Sequence, residues 1–190
     1  YNKYWIRWVR IYRHLLYPLW KHPEHLKPNT IYQFFGDFIY YGLDVICLPE
    51  VFLLLNKLIK RNIRPLNCNE VLMASNFYGD LLDYDKVLID DQSRFLTKKY
   101  NFAYVSFNLI NYWQGIADYV LIHELIHVHQ YRKFGIVYIF RALLAQNSKE
   151  VYNYGGFQGL KKAIVENKGL YEFNFEQQAS IIEHFYMIQN

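Results

Sequence analysis

Residues 123–127 read His-Glu-Leu-Ile-His, and this HExxH pattern constrains the chain more than any other stretch. An α-helix advances about 100° per residue, so a spacing of four returns His127 to within roughly 40° of His123. Both imidazoles then address one point in space. Glu124 stands between them and reaches the same cavity without binding an ion there, where it can take a proton from metal-bound water. Val120, Leu121, Ile122, Leu125, Ile126 and Val128 surround the pair, so the helix predicted over Ile116–Gly135 is apolar nearly all round and runs through the interior. Burying Glu124 and two histidines there is costly unless a cation or mutual hydrogen bonds compensate them. Of these two readings the metal site is favoured over mutual hydrogen bonding. Gly135 is the expected helix stop. His129 lies about 200° from His127 and faces away, whereas Gln130 falls back on the metal face as a hydrogen-bond partner for a ligand.

Two histidines from HExxH leave a catalytic zinc short of its usual third protein ligand. The only later histidine is His184, so the choice falls on Glu150, Glu166, Glu172, Glu176 or Glu183. Asn174–Asn190 reads as a helix opened by Asn174 as cap with Gln177 three residues on. Glu176 sits in its first turn, with Ser180 and Glu183 on the same face and the small Ala179 and Ser180 permitting close helix approach. Glu176 is therefore the expected ligand and Glu183 the reserve. The plain alternative is a first-turn glutamate placed by the helix dipole.

The rest of the chain reads as walls for this site. Tyr4–Trp20 carries Trp5, Val9, Tyr12, Leu16 and Leu19 at helical spacing with arginines between, a helix ending or kinking near Pro18. Residues 1–27 hold six basic side chains against the single Glu24. Such a helix can lie on an anionic membrane, but the expectation is that its apolar stripe packs on its own domain. His14, His22 and His25 have no ligand spacing and are assigned to surface or turn. His22–Asn29 is a turn or linker, followed by helices over Thr30–Tyr41 and Leu48–Arg61 separated near Gly42, and by a short helix over Asn69–Tyr78 with Asn67 or Asn69 as cap and Gly79 as stop. Ile31–Leu58, the most apolar stretch, is broken by Asp37, Asp44, Pro49 and Glu50. No run in it approaches the ~20 apolar residues that span a bilayer, so buried helices are expected.

The period changes after Asp83. Lys86–Asp90 and Phe102–Asn108 read as strands directly before the metal helix, one of which can pair with an extended peptide at a sheet edge. A helical run then covers Gly135–Ser148. Val151–Gly159 is a glycine and tyrosine loop whose Tyr152 or Tyr154 is a candidate oxyanion donor, with ordinary loop packing preferred.

Composition closes off other classes. With 53% hydrophobic and 19% aromatic residues the chain folds rather than remaining disordered. A formal charge of +4 without a reader motif excludes nucleic-acid binding from the expectation. Cys47 and Cys68 make no zinc ribbon or disulfide framework and are expected as free, buried thiols. No secretory leader pattern is visible at the start, which begins at Tyr1.

Ile122–Gln130 (IHELIHVHQ), Tyr152–Gly156 (YNYGG) and Phe173–Tyr186 (FNFEQQASIIEHFY) together resemble the VgrG-related or Rhs-associated zinc metallopeptidases of bacterial contractile, type VI-like secretion systems. The likeness covers roughly Asp83–Tyr186. Its helices resemble HELxHVxQ and FNxEQQA, which implies His123, His127 and Glu176 as metal positions and Glu124 as the catalytic one. The resemblance further implies a peptide or protein substrate, a secretion-system partner and residence in a bacterial cytoplasm before export. The expectation is therefore an α+β, mostly helical zincin-like fold with a small sheet before the HExxH helix. It would comprise an N-terminal helical region (1–82) and a catalytic region (83–190) in one compact domain, holding one zinc ion and hydrolysing peptide bonds. The alternative is a weak or inactive adaptor or structural component of the secretion apparatus.

Overall fold

The computed structural model of the chain describes residues 3–16, 28–94, 97–100 and 102–190. In chain order these form α1 (Lys3–Leu15), α2 (Ile31–Val45), α3 (Leu48–Ile59), β1 (Arg64–Pro65), α4 (Cys68–Tyr78), β2 (Leu88–Asp90), α5 (Thr97–Tyr100), β3 (Tyr104–Ser106), β4 (Leu109–Asn111), α6 (Asp118–Phe134), α7 (Val137–Gln146), α8 (Gly156–Val165) and α9 (Phe175–Gln189). The architecture is α+β, mostly helical, with one small mixed sheet. By contact the chain divides into two compact units, each built from separate stretches: Tyr1–Pro49 with Phe134–Ser180, and Glu50–Lys133 with Ile181–Asn190.

The first unit is helical, and its interior carries charge. Thr30 caps α2 by accepting the Gln33 backbone N–H, and α2 continues through Gly42 to Val45, so the predicted break at Gly42 moves to Ile46–Cys47. Cys47 takes a positive φ of 62°, a left-handed turn that the expectation of a glycine breaker overlooked. α1 packs on α2 through Arg7 and Arg10, both paired with Asp44, and through His14, whose Nε2 lies 2.9 Å from the Phe34 carbonyl oxygen. His14 is thus a core residue, correcting its assignment to surface or turn. The prediction at Pro18 and those for His22 and His25 lie outside the described residues. α2 also meets α7, where Arg141 forks onto Asp37 at 2.8 and 2.5 Å. Gly36 makes that approach possible, because a Cβ there would collide with the Phe140 ring. Gly135 ends α6 with φ 78°, and a Cβ on it would strike the Asp44 carboxylate, so both backbone and space demand glycine. α8 occupies the second half of the segment read as an irregular loop.

The second unit holds the sheet, in the order β1-β2-β4-β3 with β2 parallel to β4 and the other pairs antiparallel. The strand expected over Phe102–Asn108 is shorter and turns at Phe107–Asn108 into β4, with Ser106 opposite Leu109. Phe107 holds φ 64° there, and its ring lies 5.3 Å from Phe52 and 5.4 Å from Tyr131. Packing therefore stabilises a turn that carries no glycine. Val87, Ile89, Leu109 and Ile110 are fully buried, as are Ile122, Leu125 and Val128 of α6. Each such side chain contributes on the order of 1.5–3 kcal/mol, so the metal-motif helix is held as core. Asp90 is buried at the end of β2 and is paired by Lys60 at 2.5 Å and Asn62 at 2.7 Å. Asn67 and Glu70 form a reciprocal capping box at the start of α4, which settles the choice between Asn67 and Asn69.

Two expectations about burial fail. The thiols are free, but Cys68 is exposed and Cys47 only partly covered. The helices from Ile31–Leu58 are not interior: Ile31, Phe35 and Ile39 of α2 and Val51, Leu54 and Leu55 of α3 face outward.

Candidate metal centre

α6 places His123 and His127 one turn apart with ring centroids 5.1 Å from each other. What lies behind each ring fixes its chemistry. His123 Nδ1 is 2.8 Å from Glu183 Oε2, and His127 Nδ1 is 2.8 Å from Gln130 Oε1. A carboxylate oxygen and an amide carbonyl oxygen accept, so each Nδ1 donates its N–H. In the neutral ring the lone pair then resides on Nε2, the atom a metal would take. Gln130 is completely buried, as its return to the metal face anticipated. Glu183, the reserve ligand, instead sits behind His123 as the acceptor that orients it.

Glu176 is buried in the first turn of α9. The helix opens on a capping box: Asn174 Oδ1 accepts the Gln177 N–H at 2.8 Å, and Gln177 Oε1 accepts the Asn174 N–H at 3.1 Å. Gln146, at the end of α7, donates its Nε2–H to Glu176 Oε1 at 2.9 Å. Seven residues separate Glu176 from Glu183, close to two full turns, so the carboxylate that orients His123 and the expected third ligand share one helix face. His123 and His127 belong to one compact unit and Glu176 to the other. Two imidazole nitrogens and one carboxylate oxygen are a donor set that fits zinc.

Glu124 is buried on the same helix as the two histidines. Tyr78 donates its hydroxyl to the Ile122 carbonyl oxygen at 2.5 Å, tying α4 to the turn that carries Glu124. Burial above all, then the neighbouring Tyr84 and the Glu124 carboxylate, hold the Tyr78 phenol well above its ordinary range. It stays a neutral donor. His129 turns to the Leu81 carbonyl oxygen, as its angle on the helix required. Among the remaining glutamates, Glu150, Glu166 and Glu172 are exposed, and Glu166 is paired with Lys168. Tyr152 is exposed and Tyr154 half-buried.

Sequence reasoning missed Gln146 and Tyr78. Gln146 is an exposed amide at the end of the VYIFRALLAQ helix, and nothing in the sequence marks it out as a partner for Glu176. The FNFEQQ motif also becomes legible by parts. Asn174 and Gln177 cap the helix, Gln177 Nε2 further donates to the Asn153 carbonyl at 2.8 Å, and Gln178 Nε2 donates to the Phe173 carbonyl at 2.8 Å. Glu176 is left as the one acidic member of the motif, buried in the first turn of α9.

No protein-family model, curated protein or solved structure matches the chain.

Proposed function

We propose that the chain is a zinc-dependent metallopeptidase of zincin type, with His123, His127 and Glu176 as metal ligands and Glu124 as general base. One observation carries the reading. Both histidines of HExxH have Nδ1 engaged by a side-chain acceptor, so their Nε2 lone pairs are the ones offered to an ion. A bound zinc ion would supply Lewis acidity to the peptide carbonyl and make water acidic enough to be deprotonated near neutral pH.

The chain's own residues do the rest. Glu124 accepts a proton from the attacking water as its oxygen bonds to the carbonyl carbon, and returns a proton to the amide nitrogen as the C–N bond breaks. Glu183 and Gln130 hold the imidazole planes against rotation. β3 is an edge strand of the unit that carries α6, with β4 as its sheet neighbour, and an extended peptide can add to such an edge by main-chain hydrogen bonds. A place beside a bacterial contractile secretion apparatus rests on the likeness of the two helix motifs.

The test pairs metal analysis with cleavage of a peptide library by wild type and Glu124→Gln. The expected result is stoichiometric zinc in both proteins, with cleavage slowed on the order of 100-fold or more in the variant. Absence of zinc from both overturns the reading. Zinc in both with no cleavage by either transfers the site to the adaptor alternative.

A further inference from the structure

α1 is built the wrong way round for water. A surface helix normally turns its apolar stripe inward, yet here Arg7 is 7% exposed and His14 1%, whereas Trp5 is 70% exposed and Tyr12 61%. Tyr4, Ile6, Trp8 and Leu15 also face outward. The same inversion continues in α2, which buries Asp37 and Asp44 and exposes Ile31, Tyr32, Phe35 and Ile39. The hidden charges are matched: Arg7 and Arg10 meet Asp44, and Arg141 meets Asp37. Between α2 and α7 an outward-opening groove of about 480 Å³ is lined by Phe35, Ile39, Tyr40, Phe140 and Leu143. Ion pairs are thus buried beneath α1 and α2 while many of their aromatic and aliphatic side chains face outward.

We propose that α1 and α2 dock this face on an anionic membrane surface, with the Trp5, Trp8 and Tyr12 rings in the headgroup layer. Charge selects lipid as the occupant. α1 contains no acidic residue and Arg13 is exposed on it; with Arg7 and Arg10 spent on Asp44, residues 1–27 still hold four basic side chains against one acidic, the pattern that anionic headgroups attract. Tryptophan and tyrosine interleaved with guanidinium groups suit the interface, where a ring has one apolar and one wet side. Length decides the orientation. With 13 and 15 residues, α1 and α2 fall short of the ~20 that cross a bilayer, and no single described helix is long and apolar enough to do so. α2 passes that test only together with α3, as a bent pair, so α1, which passes no such test, lies in the membrane plane with α2 packed against it. This inference is independent of zinc.

The experiment is flotation of the full chain with vesicles of phosphatidylcholine alone and of phosphatidylcholine with phosphatidylglycerol at about 3:1. The expected result is binding to the anionic vesicles, weakened by salt, and about tenfold or more weaker in W5S/W8S. Fluorescence quenching by brominated lipids in a W20F/W113F background supplies a second reading that needs neither serine. Trp5 and Trp8 should be quenched there. Failure of the wild type to float, unchanged binding by W5S/W8S, or unquenched fluorescence overturns the proposal. So does a concentration-dependent dimer lost in W5S/W8S without vesicle binding, which would assign the face to a second copy.

Discussion

α1 and α6 both bury histidine, and the nitrogen that is tied down separates their roles. In α1, His14 uses its outer nitrogen, Nε2, against the Phe34 carbonyl while its ring stacks on Phe34 at 4.5 Å. The ring is an anchor. In α6, His123 and His127 are held by the inner nitrogen, Nδ1, which points Nε2 outward. Identical side chains thus do opposite things, and the partner of each ring nitrogen distinguishes them. The same holds for charge. Arg7 and Arg10 meet Asp44 as ion pairs, whereas Glu176 is met by the uncharged amide of Gln146.

The strongest way to break this contrast is at the anchor. Arg7→Met removes one of the two guanidinium partners of the buried Asp44 and leaves Arg10, and the expected cost is about 2–3 kcal/mol in denaturant unfolding, with unchanged zinc content per folded chain. A loss well below 1 kcal/mol would show that the buried ion cluster is not structural.

A smaller effect sharpens the other side. Gln130→Met keeps the volume but removes the acceptor of the His127 Nδ1 proton, and zinc affinity in competition with a chelator should fall roughly 10–100-fold. His14→Gln should leave that affinity alone. Equal losses in both variants would erase the distinction between anchor and ligand.

The smallest test is a surface pair in the unit of α6. Burial would raise the Glu70 carboxyl, but the two Arg64 hydrogen bonds at 2.8 and 2.9 Å and the Asn67 backbone N–H hold it below its usual range. A folded-state value below the unfolded one means stability that is present near neutral pH and lost as pH falls through the folded value. Glu70→Gln should therefore flatten the acid limb of a melting-temperature profile. With solvent screening at this half-exposed pair, the change should be about 1 kcal/mol or less.

What the sequence disclosed follows from the range of the interactions. The α6 motif, the Asn174 cap and the Gly135 stop are local, fixed by residues within a turn or two, and they stand where the periodicity put them. Gln130 on His127 was readable for the same reason. His14, Glu183 and Gln146 answer to partners 20, 60 and 30 residues away, and no spacing rule encodes those. The turn at Phe107–Asn108 lacks glycine because Phe52 and Tyr131 hold the ring, so a strand pattern ran straight through it. The inversion of α1 is not readable from sequence, because helical spacing locates an apolar stripe without saying which side is wet.

The order of the ligands along the chain has one more consequence. His127 leaves the ribosome 49 residues before Glu176, counting from 127 to 176, and α7 and α8 are made in the interval. A nascent polypeptide therefore displays two imidazoles without their acid throughout that stretch of synthesis, and a cation met then would find an incomplete cradle. Under the proposed function, the full set of ligands exists only once α9 has been made.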